Sequence, residues 1–383
     1  MRVLVLNPGS SSLKGSLVEM PGERTLAADE VDWGTDATAH ADRRGGVAAL
    51  VERLLAERTA DAVGYRVVHG GERFRAATPI DDDVVAAIDG LADLAPLHNA
   101  VAAETIRAAR SLLPDLPHVA CFDTAFHATL PEESWRYPLP GEWVEAHGLR
   151  RYGFHGLSVE WSVRRAGELL EAAVERLDLV VAHLGSGCSV TAVAGGRSVD
   201  TSMGFTPLEG LMMGSRAGSV DPGILLHLLR AGVGVEALAD GLDHGSGLLG
   251  VSGTTGGARE LEAAAAAGDE RARLALAMFA RRAAAGIAAA ASTLGRLDAV
   301  VFTGGIGEHS AAMRGDISRR LGVLGVPAVD AETRRDAVLT DPGAPVAVLR
   351  IEAREDLAIA DEVARLRRPR RGRRGTSGAD PAG

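Results

Sequence analysis

One lysine stands among 41 basic residues, and it closes the run Val3-Leu-Val-Leu-Asn-Pro-Gly-Ser-Ser-Ser-Leu-Lys14. Lysine and arginine exchange freely on a solvated surface, but a compact ammonium with rotatable donors fits a tight site that a planar guanidinium does not. Val3 to Leu6 predicts a buried strand, Asn7 to Ser12 a turn rich in backbone N–H and hydroxyl donors, and Leu13 to Val18 a returning strand. The tip of such a hairpin, with Ser10, Ser12 and Lys14 on it, suits phosphate.

Four further segments combine polar groups with glycine beyond what packing requires. Arg66 ends a strand in Gly64-Tyr-Arg-Val-Val-His-Gly-Gly-Glu72, next to Val68 and His69. Asp123 follows the apolar Val119-Ala-Cys-Phe122, so its carboxylate emerges at a strand's C-terminal end, where open α/β sheets place ligands, or else caps the next helix. His155 sits between Phe154 and Gly156. The loop Asp200 to Pro222 threads Gly204, Gly210, Gly214 and Gly218 past Pro207 to Arg216, an arginine suited to bidentate recognition of a phosphoryl or carboxylate group. Each residue alone has a plain structural reading. Together, two guanidiniums, an ammonium, imidazoles and a carboxylate make a kit for phosphoryl transfer, in which cations neutralise the equatorial oxygens and a metal-bound carboxylate and water network bridges nucleotide phosphates. Neither a Gly-x-x-x-x-Gly-Lys-Ser/Thr loop nor the protein kinase signatures are present.

These side chains need a frame. At 383 residues two domains are expected, and an apolar share of 46 % with only 4 % aromatics predicts cores of Ala, Val and Leu. The stretch Leu179-Val-Val-Ala-His-Leu-Gly-Ser-Gly-Cys-Ser-Val-Thr-Ala-Val193 echoes the N-terminal hairpin, with Gly185-Ser186 matching Gly9-Ser10, and a third strand runs into glycines at Ala299 to Glu308. Helical patterns at Val84 to Leu94, Ala100 to Leu113 and Glu262 to Leu294 lie between them. A duplicated α/β unit follows, each half a twisted sheet flanked by helices, with the hairpin tips facing a shared cleft. A C-terminal helix, with Leu357, Ala360, Val363 and Leu366 on one face, returns to cover the first half.

A net charge of −10 argues against nucleic acid as the main partner. Cys121 and Cys188 lie on buried strands and form no ligand pair, which indicates a cytoplasmic protein without disulfides. The apolar start is too short for a signal peptide. The alanine-rich Leu274 to Ala291 is interrupted by Arg281 and Arg282, so no membrane span is expected. The basic tail from Arg367 should be disordered.

At these residues the chain resembles the acetate kinase family, within the superfamily of acetate and sugar kinases, Hsp70 and actin. The likeness runs from Arg2 to about Ala364 and rests on Asn-x-Gly-Ser-Ser-Ser-x-Lys and Asp-Thr-Ser-Met-Gly-Phe-Thr-Pro-Leu-Glu-Gly. It implies two duplicated RNase H-like domains in an actin-like ATPase fold with a cleft between them. Residues 1–126 plus 355–368 would form the first domain, 127–354 the second, which binds nucleotide and dimerises, and 369–383 a disordered tail. It implies reversible transfer from ATP to acetate, giving ADP and acetyl phosphate, with Mg²⁺ (Mn²⁺ as a possible substitute). Asn7 and Glu355 would position the metal. Asp123, His155 and Arg216 would be catalytic, and Arg66, Val68, Leu97, Phe154 and Pro207 would bind the acyl substrate. Ser10, Ser12 and Lys14 would line the phosphate path, with His183, Leu184, Gly185, Ser186 and Gly187 as the phosphate loop. Gly257, Ala258, Arg259 and Gly305, Ile306, Gly307, Glu308, His309 would sit at the adenosine.

The chain departs from the family's usual residues at Ser186 (usually Asn), Gly257 (usually Asp) and His309 (usually Asn), all on the nucleotide side, and at Ala100, where Pro is usual. Two alternatives stay open: a propionate or butyrate kinase, and a catalytically silent nucleotide-binding protein of the same fold. The retained charged cluster speaks against the second.

Overall fold

Val3 and Val5 point into one core while Leu4 and Leu6 point into another, so the first strand is buried on both faces and its sequence is an unbroken apolar run. The computed structural model describes residues 1–9, 12–33, 43–91 and 96–367, the side chains of Pro96 and Leu97 excepted. Ser10 and the basic tail 369–383 lie outside the described residues.

The first half runs β1 (Arg2–Pro8), β2 (Ser12–Glu19), β3 (Arg24–Asp32), α1 (Arg43–Leu55), β4 (Ala62–Val67), β5 (Thr78–Pro79), α2 (Asp82–Asp89), α3 (Pro96–Leu112) and β6 (His118–Phe122). Short helices α4 (Glu132–Trp135) and α5 (Gly141–His147) lead into α6 (Gly156–Leu169). The second half runs β7 (Asp178–Leu184), β8 (Cys188–Ala194), β9 (Arg197–Thr201), α7 (Pro222–Arg230), α8 (Val235–Asp243), α9 (Gly247–Ser252), α10 (Ala258–Ala266), α11 (Glu270–Ala291), β10 (Ala299–Thr303), α12 (Gly304–His309), α13 (Ala311–Arg320), β11 (Ala337–Val338) and β12 (Ala347–Arg350), and α14 (Glu355–Arg367) closes the described chain.

The expected duplication is explicit in the sheets. Their orders are β3-β2-β1-β4-β6-β5 and β11-β12-β10-β7-β8-β9, which superimpose strand for strand when the second is read backwards. In each, two antiparallel pairings open the sheet, two parallel pairings extend it, and a two-residue antiparallel strand ends it. Even the register irregularity recurs, between Leu17 and Val18 and between Ala192 and Val193.

Three cores result. Helices α1, α2 and α3 cover the outer face of the first sheet, and α10, α11 and α13 cover the outer face of the second. Between the sheets α14 packs on β1 and β4, α6 packs on β7 and β10, and the two helices touch each other. The C-terminal helix therefore does return to the first sheet.

Two helical readings change. The pattern Glu262 to Leu294 is two helices, because Gly268 takes a left-handed φ of 101° and Asp269 caps the N-terminus of α11 through Arg271 and Ala272 N–H. The pattern Val84 to Leu94 stops at Asp89, where Gly90 closes the turn onto Ala86 and Ile88 carbonyls. Helix α11 is the one helix among the described residues long and apolar enough to cross a membrane by length and composition. Its Ala272, Ala275, Phe279, Ala283 and Ile287 are buried against β7 and β8, while Arg281 and Arg282 are exposed, which is the arrangement of a core helix.

Candidate active site

The duplication brings Asn7 and Lys14 of the first hairpin and Gly185 to Gly187 of the second to one cleft. A cleft of about 840 Å³ is lined from the first half by Asn7, Lys14 and Arg66, from the second by His155, His183, Gly185 to Gly187, Gly304, Gly305 and Glu308, and by Glu355 at the start of α14.

Arg66 leaves β4 one residue before its end, beside β6, whose C-terminus delivers Asp123. Its Nη2 donates to Asp123 Oδ2 at 2.7 Å, and its Nε reaches both carboxylate oxygens at 3.1 and 3.2 Å. Its Nη1 donates to Asn7 Oδ1 at 3.3 Å, and Asn7 Nδ2 donates to Glu355 Oε2 at 2.9 Å. Three of the five guanidinium N–H groups are thereby used. One N–H remains on each of Nη1 and Nη2 beyond these bonds, Glu355 Oε2 stands 3.6 Å from Nε, and the guanidinium lines the cleft.

The charges in this knot balance unevenly. Burial and the neighbouring Glu355 push Asp123 above the usual carboxylate range, with Arg66 opposing them. Burial also works against Glu355, but Arg66, His183 and the Asn7 amide outweigh it, with Lys14 adding to them, so Glu355 is held below its ordinary value. Lys14 faces Asn7 across the hairpin register and is exposed at the cleft rim.

His155 is the residue before α6 and takes a left-handed φ of 58°, a costly conformation for a residue with a side chain. The next residue explains it. Gly156 N–H donates to the Asp123 carbonyl at 3.0 Å, and a Cβ on Gly156 would lie well inside contact distance of that oxygen. The first turn of α6 is thus set directly on the end of β6. The His155 ring stacks on His183 at 4.1 Å, its Nδ1 pairs with Ser189 Oγ at 2.9 Å, and His183 Nδ1 pairs with Ser158 Oγ at 2.8 Å. Burial, the stacked His183, Arg66 and Arg216 hold His155 well below its ordinary pKa, and burial first holds His183 at about 4, so both rings are neutral at pH 7.

Gly187 explains the glycine of the second hairpin tip. A Cβ there would stand 3.3 Å from His155 Nε2 and 3.8 Å from Arg216 Nη1, so the loop backbone, the imidazole and the guanidinium share one spot. Arg216 is half-buried, with Asp243 3.6 Å away. Its loop is turned by Gly210 and Gly218, both at positive φ, and carries Gly214, whose N–H donates to Ser186 O at 3.1 Å.

Other expected residues are placed less directly. The Ser12 hydroxyl donates to Glu30 Oε1 at 2.6 Å. Leu184 buries its side chain in the second core, so only its backbone is near the loop. Gly257 caps α10, Ala258 is buried and Arg259 is exposed; none lines the described cleft, although Gly256 touches Gly214 next to Ser186. Gly305 lines the cleft, Ile306 packs on the second core and Gly307 is buried under Phe302. Glu308 accepts from Ala353 N–H at 2.9 Å, and His309 is exposed. Val68 and Phe154 belong to one buried cluster and Pro207 is half-buried, while the Leu97 side chain lies outside the described residues.

Sequence reasoning missed several partners. His98 lies in the field of Arg66 and Arg216, which with burial hold it at about 4. Ser158 and Ser189 orient the two imidazoles. Glu209 takes the hydroxyl of Tyr137 and the guanidinium of Arg151, the latter at 2.9 Å, and so fixes the loop that carries Pro207. The cross-strand match of His183 with Ser189 was available from the hairpin register. The other contacts join residues too far apart in sequence to leave a pattern.

The model of the acetokinase family matches residues 2–361. Acetate kinase of Deinococcus radiodurans is 48 % identical over 95 % of this chain and 98 % of its own length, and that of a Synechococcus strain is 46 % identical over 94 % and 98 %. Among solved structures, Porphyromonas gingivalis acetate kinase aligns with a TM-score of 0.84 at 34 % identity, covering 95 % of this chain and 99 % of its own. A Francisella tularensis propionate kinase aligns with a TM-score of 0.84 at 35 % identity, covering 94 % and 98 %.

Proposed function

The chain belongs to the acetokinase family, and from that premise we propose that it is an acetate kinase, moving the γ-phosphoryl group of ATP reversibly onto acetate. The observation that carries the reading is that neutral His155 and Arg216 meet at Gly187 while Arg66, paired with Asp123, lines the same cleft as His155 and Gly187. The remaining N–H groups of Arg66 donate to the carboxylate, and Arg216 holds the transferring group from the other half. Val68, Phe154 and Pro207 enclose the methyl group. With the Ser189 hydroxyl donating to Nδ1, His155 keeps a hydrogen on Nε2 and donates it to an equatorial phosphoryl oxygen. Asp123 orients Arg66 and tunes the charge beside it. Lys14 and the amides of Gly185 to Gly187, with Ser10 and Ser12, attend the nucleotide phosphates. The segments 257–259 and 305–309 attend the adenosine.

Asn7 and Glu355 suit a divalent cation. Both carry oxygen, the donor of hard ions, and a cation there would replace the present contact of Asn7 Nδ2 with Glu355 Oε2. Bound there, Mg²⁺ or Mn²⁺ neutralises charge between the phosphates.

Residues 1–126 with 355–368 form the first domain in this reading and 127–354 the second. Exposed Ile224, Leu226, Leu229 and Val235 on α7 and α8, and Leu274 and Met278 on α11, are the large apolar side chains of the second domain that a second copy would cover. Sedimentation that finds only monomer overturns the dimer. The enzyme belongs in the cytoplasm with its nucleotide.

Hydroxylamine trapping with ATP, Mg²⁺ and acetate, propionate or butyrate tests the activity. Acetohydroxamate as the main product is expected. A larger yield from propionate makes this a propionate kinase, which the chain matches in structure as well as it matches an acetate kinase. No hydroxamate from any acid leaves a silent nucleotide-binding protein.

A further inference from the structure

Just beyond the end of β4 the chain crosses toward the second half, and one side chain holds it there. Asn99, in the first turn of α3, is fully buried. Its Oδ1 accepts the N–H of His69 at 3.1 Å and its Nδ2 donates to the carbonyl of His69 at 2.9 Å, so the amide pairs with the main chain as a neighbouring strand would. The same Nδ2 reaches the carbonyl of Ile88 on α2 at 3.4 Å. His69 is fixed further by its ring: Nδ1 accepts the N–H of Gly71 at 2.9 Å, and the face meets Tyr152 at 4.4 Å and Phe154 at 5.4 Å.

Two residues beside this clamp, Arg66 and Val68, are ones proposed above to meet the acyl group. Val68 precedes His69 and is buried in the second half's cluster with Tyr152 and Phe154. Arg66 lies two residues further back. His98, adjacent to Asn99, lies in the field of both guanidiniums. We infer that Asn99 is a positioning residue that sets the gap between the strand end carrying Arg66 and Val68 and the helix carrying His98, and so decides how long a carboxylic acid the pocket accepts. The inference rests on the acetate kinase reading. A plain structural role for Asn99 would lower stability and leave selectivity alone. A positioning role changes acid selectivity in molecules that are fully folded.

The test uses the full chain with Asn99→Ala and the isosteric Asn99→Asp. The second keeps the acceptor for His69 N–H, loses the donor and preserves volume, so it remains informative if the alanine variant does not fold. Steady-state constants are measured for acetate, propionate and butyrate, and separately for ATP, on variants whose circular dichroism and cooperative melting match the wild type. The expected result is a KM for acetate raised about tenfold, a propionate-to-acetate ratio of kcat/KM raised at least about threefold, and a KM for ATP within about twofold, because a small misplacement at the reacting end is costly while the nucleotide side is untouched. A wild-type ratio and acetate KM in a folded variant overturn the inference and leave the acetate kinase reading standing. A wild-type chain that forms no acyl hydroxamate sinks that reading, and this inference with it.

Discussion

Lys14 shows how far a single residue can be argued. Its ammonium stands opposite Asn7 in the hairpin, at the rim of the cleft, and helps keep Glu355 charged. A guanidinium is wider and planar, and at a phosphate path it would crowd the space an ammonium fits. Lys14→Arg should lower turnover at least about tenfold, equal to roughly 1.4 kcal/mol of barrier, with the fold intact. Full activity in that variant would make the lone lysine an accident. The nucleotide side carries a second prediction. Ser186, Gly257 and His309 offer fewer or shorter hydrogen-bond partners than the family's usual residues, and a site that bonds a group rejects analogues lacking it far better than an open one. GTP should therefore support turnover within about tenfold of ATP. The space beside Gly257 is taken by the Glu260 carboxylate, which a Cβ would strike. Ser186→Asn with Gly257→Asp should widen the gap, with the exposed Glu260 side chain swinging aside to make room. Competition assays in which the wild type already prefers ATP by orders of magnitude would refute the argument.

At the scale of elements, the junction of β6 with α6 governs the geometry of His155. The Gly156 N–H sits on the Asp123 carbonyl, and the approach is too close for any side chain. Gly156→Ala should push α6 off the strand end, turn the His155 ring away from Gly187 and Arg216, and reduce kcat about a hundredfold or more while nucleotide still binds, since a displacement of about 1 Å can cost that much. Near-normal kcat would mean that the junction is only packing. The same elements show what was legible in the sequence. The strands β1, β7 and β10 were readable because burial on both faces leaves no polar interruption, and the hairpin echo gave the duplication. Helices α10 and α11 read as one because alanine on every side of the pattern hides a break, and Gly268 alone marks it. Arg66, Asp123, His155 and Arg216 stood out by residue type and neighbouring glycines. Their positioning partners, Ser158, Ser189, Asn99 and Glu209, are common polar residues whose role exists only once segments far apart in sequence have met.

At the scale of the whole molecule, the two halves meet on α6 and α14, and the seam is charged. Glu160 on α6 faces Glu362 and Asp361 on α14, with Arg365 donating to Glu160 at 3.1 Å and pairing with both α14 carboxylates, and with the buried Cys121 thiol of β6 nearby. A turn further on, Arg164 of α6 links Glu23 of the first half to Asp361. Burial first, then Glu362, raises Glu160 from 4.5 to about 7, with Arg365 opposing them. A carboxyl raised in the folded state takes up a proton on folding, so its contribution to stability is fully present below the ordinary carboxylate range and is lost as pH rises through about 7. The seam should accordingly weaken as pH rises from about 4.5 to about 7 and hold level above that. Glu160→Gln keeps the shape and an acceptor for Arg365 but cannot ionise, so its melting temperature should be less dependent on pH across that window and should exceed the wild type's on the alkaline side. Calorimetry at a series of pH values decides it. Parallel curves for the two proteins would show that Glu160 titrates as an ordinary surface carboxylate and that the seam does not sense pH through it.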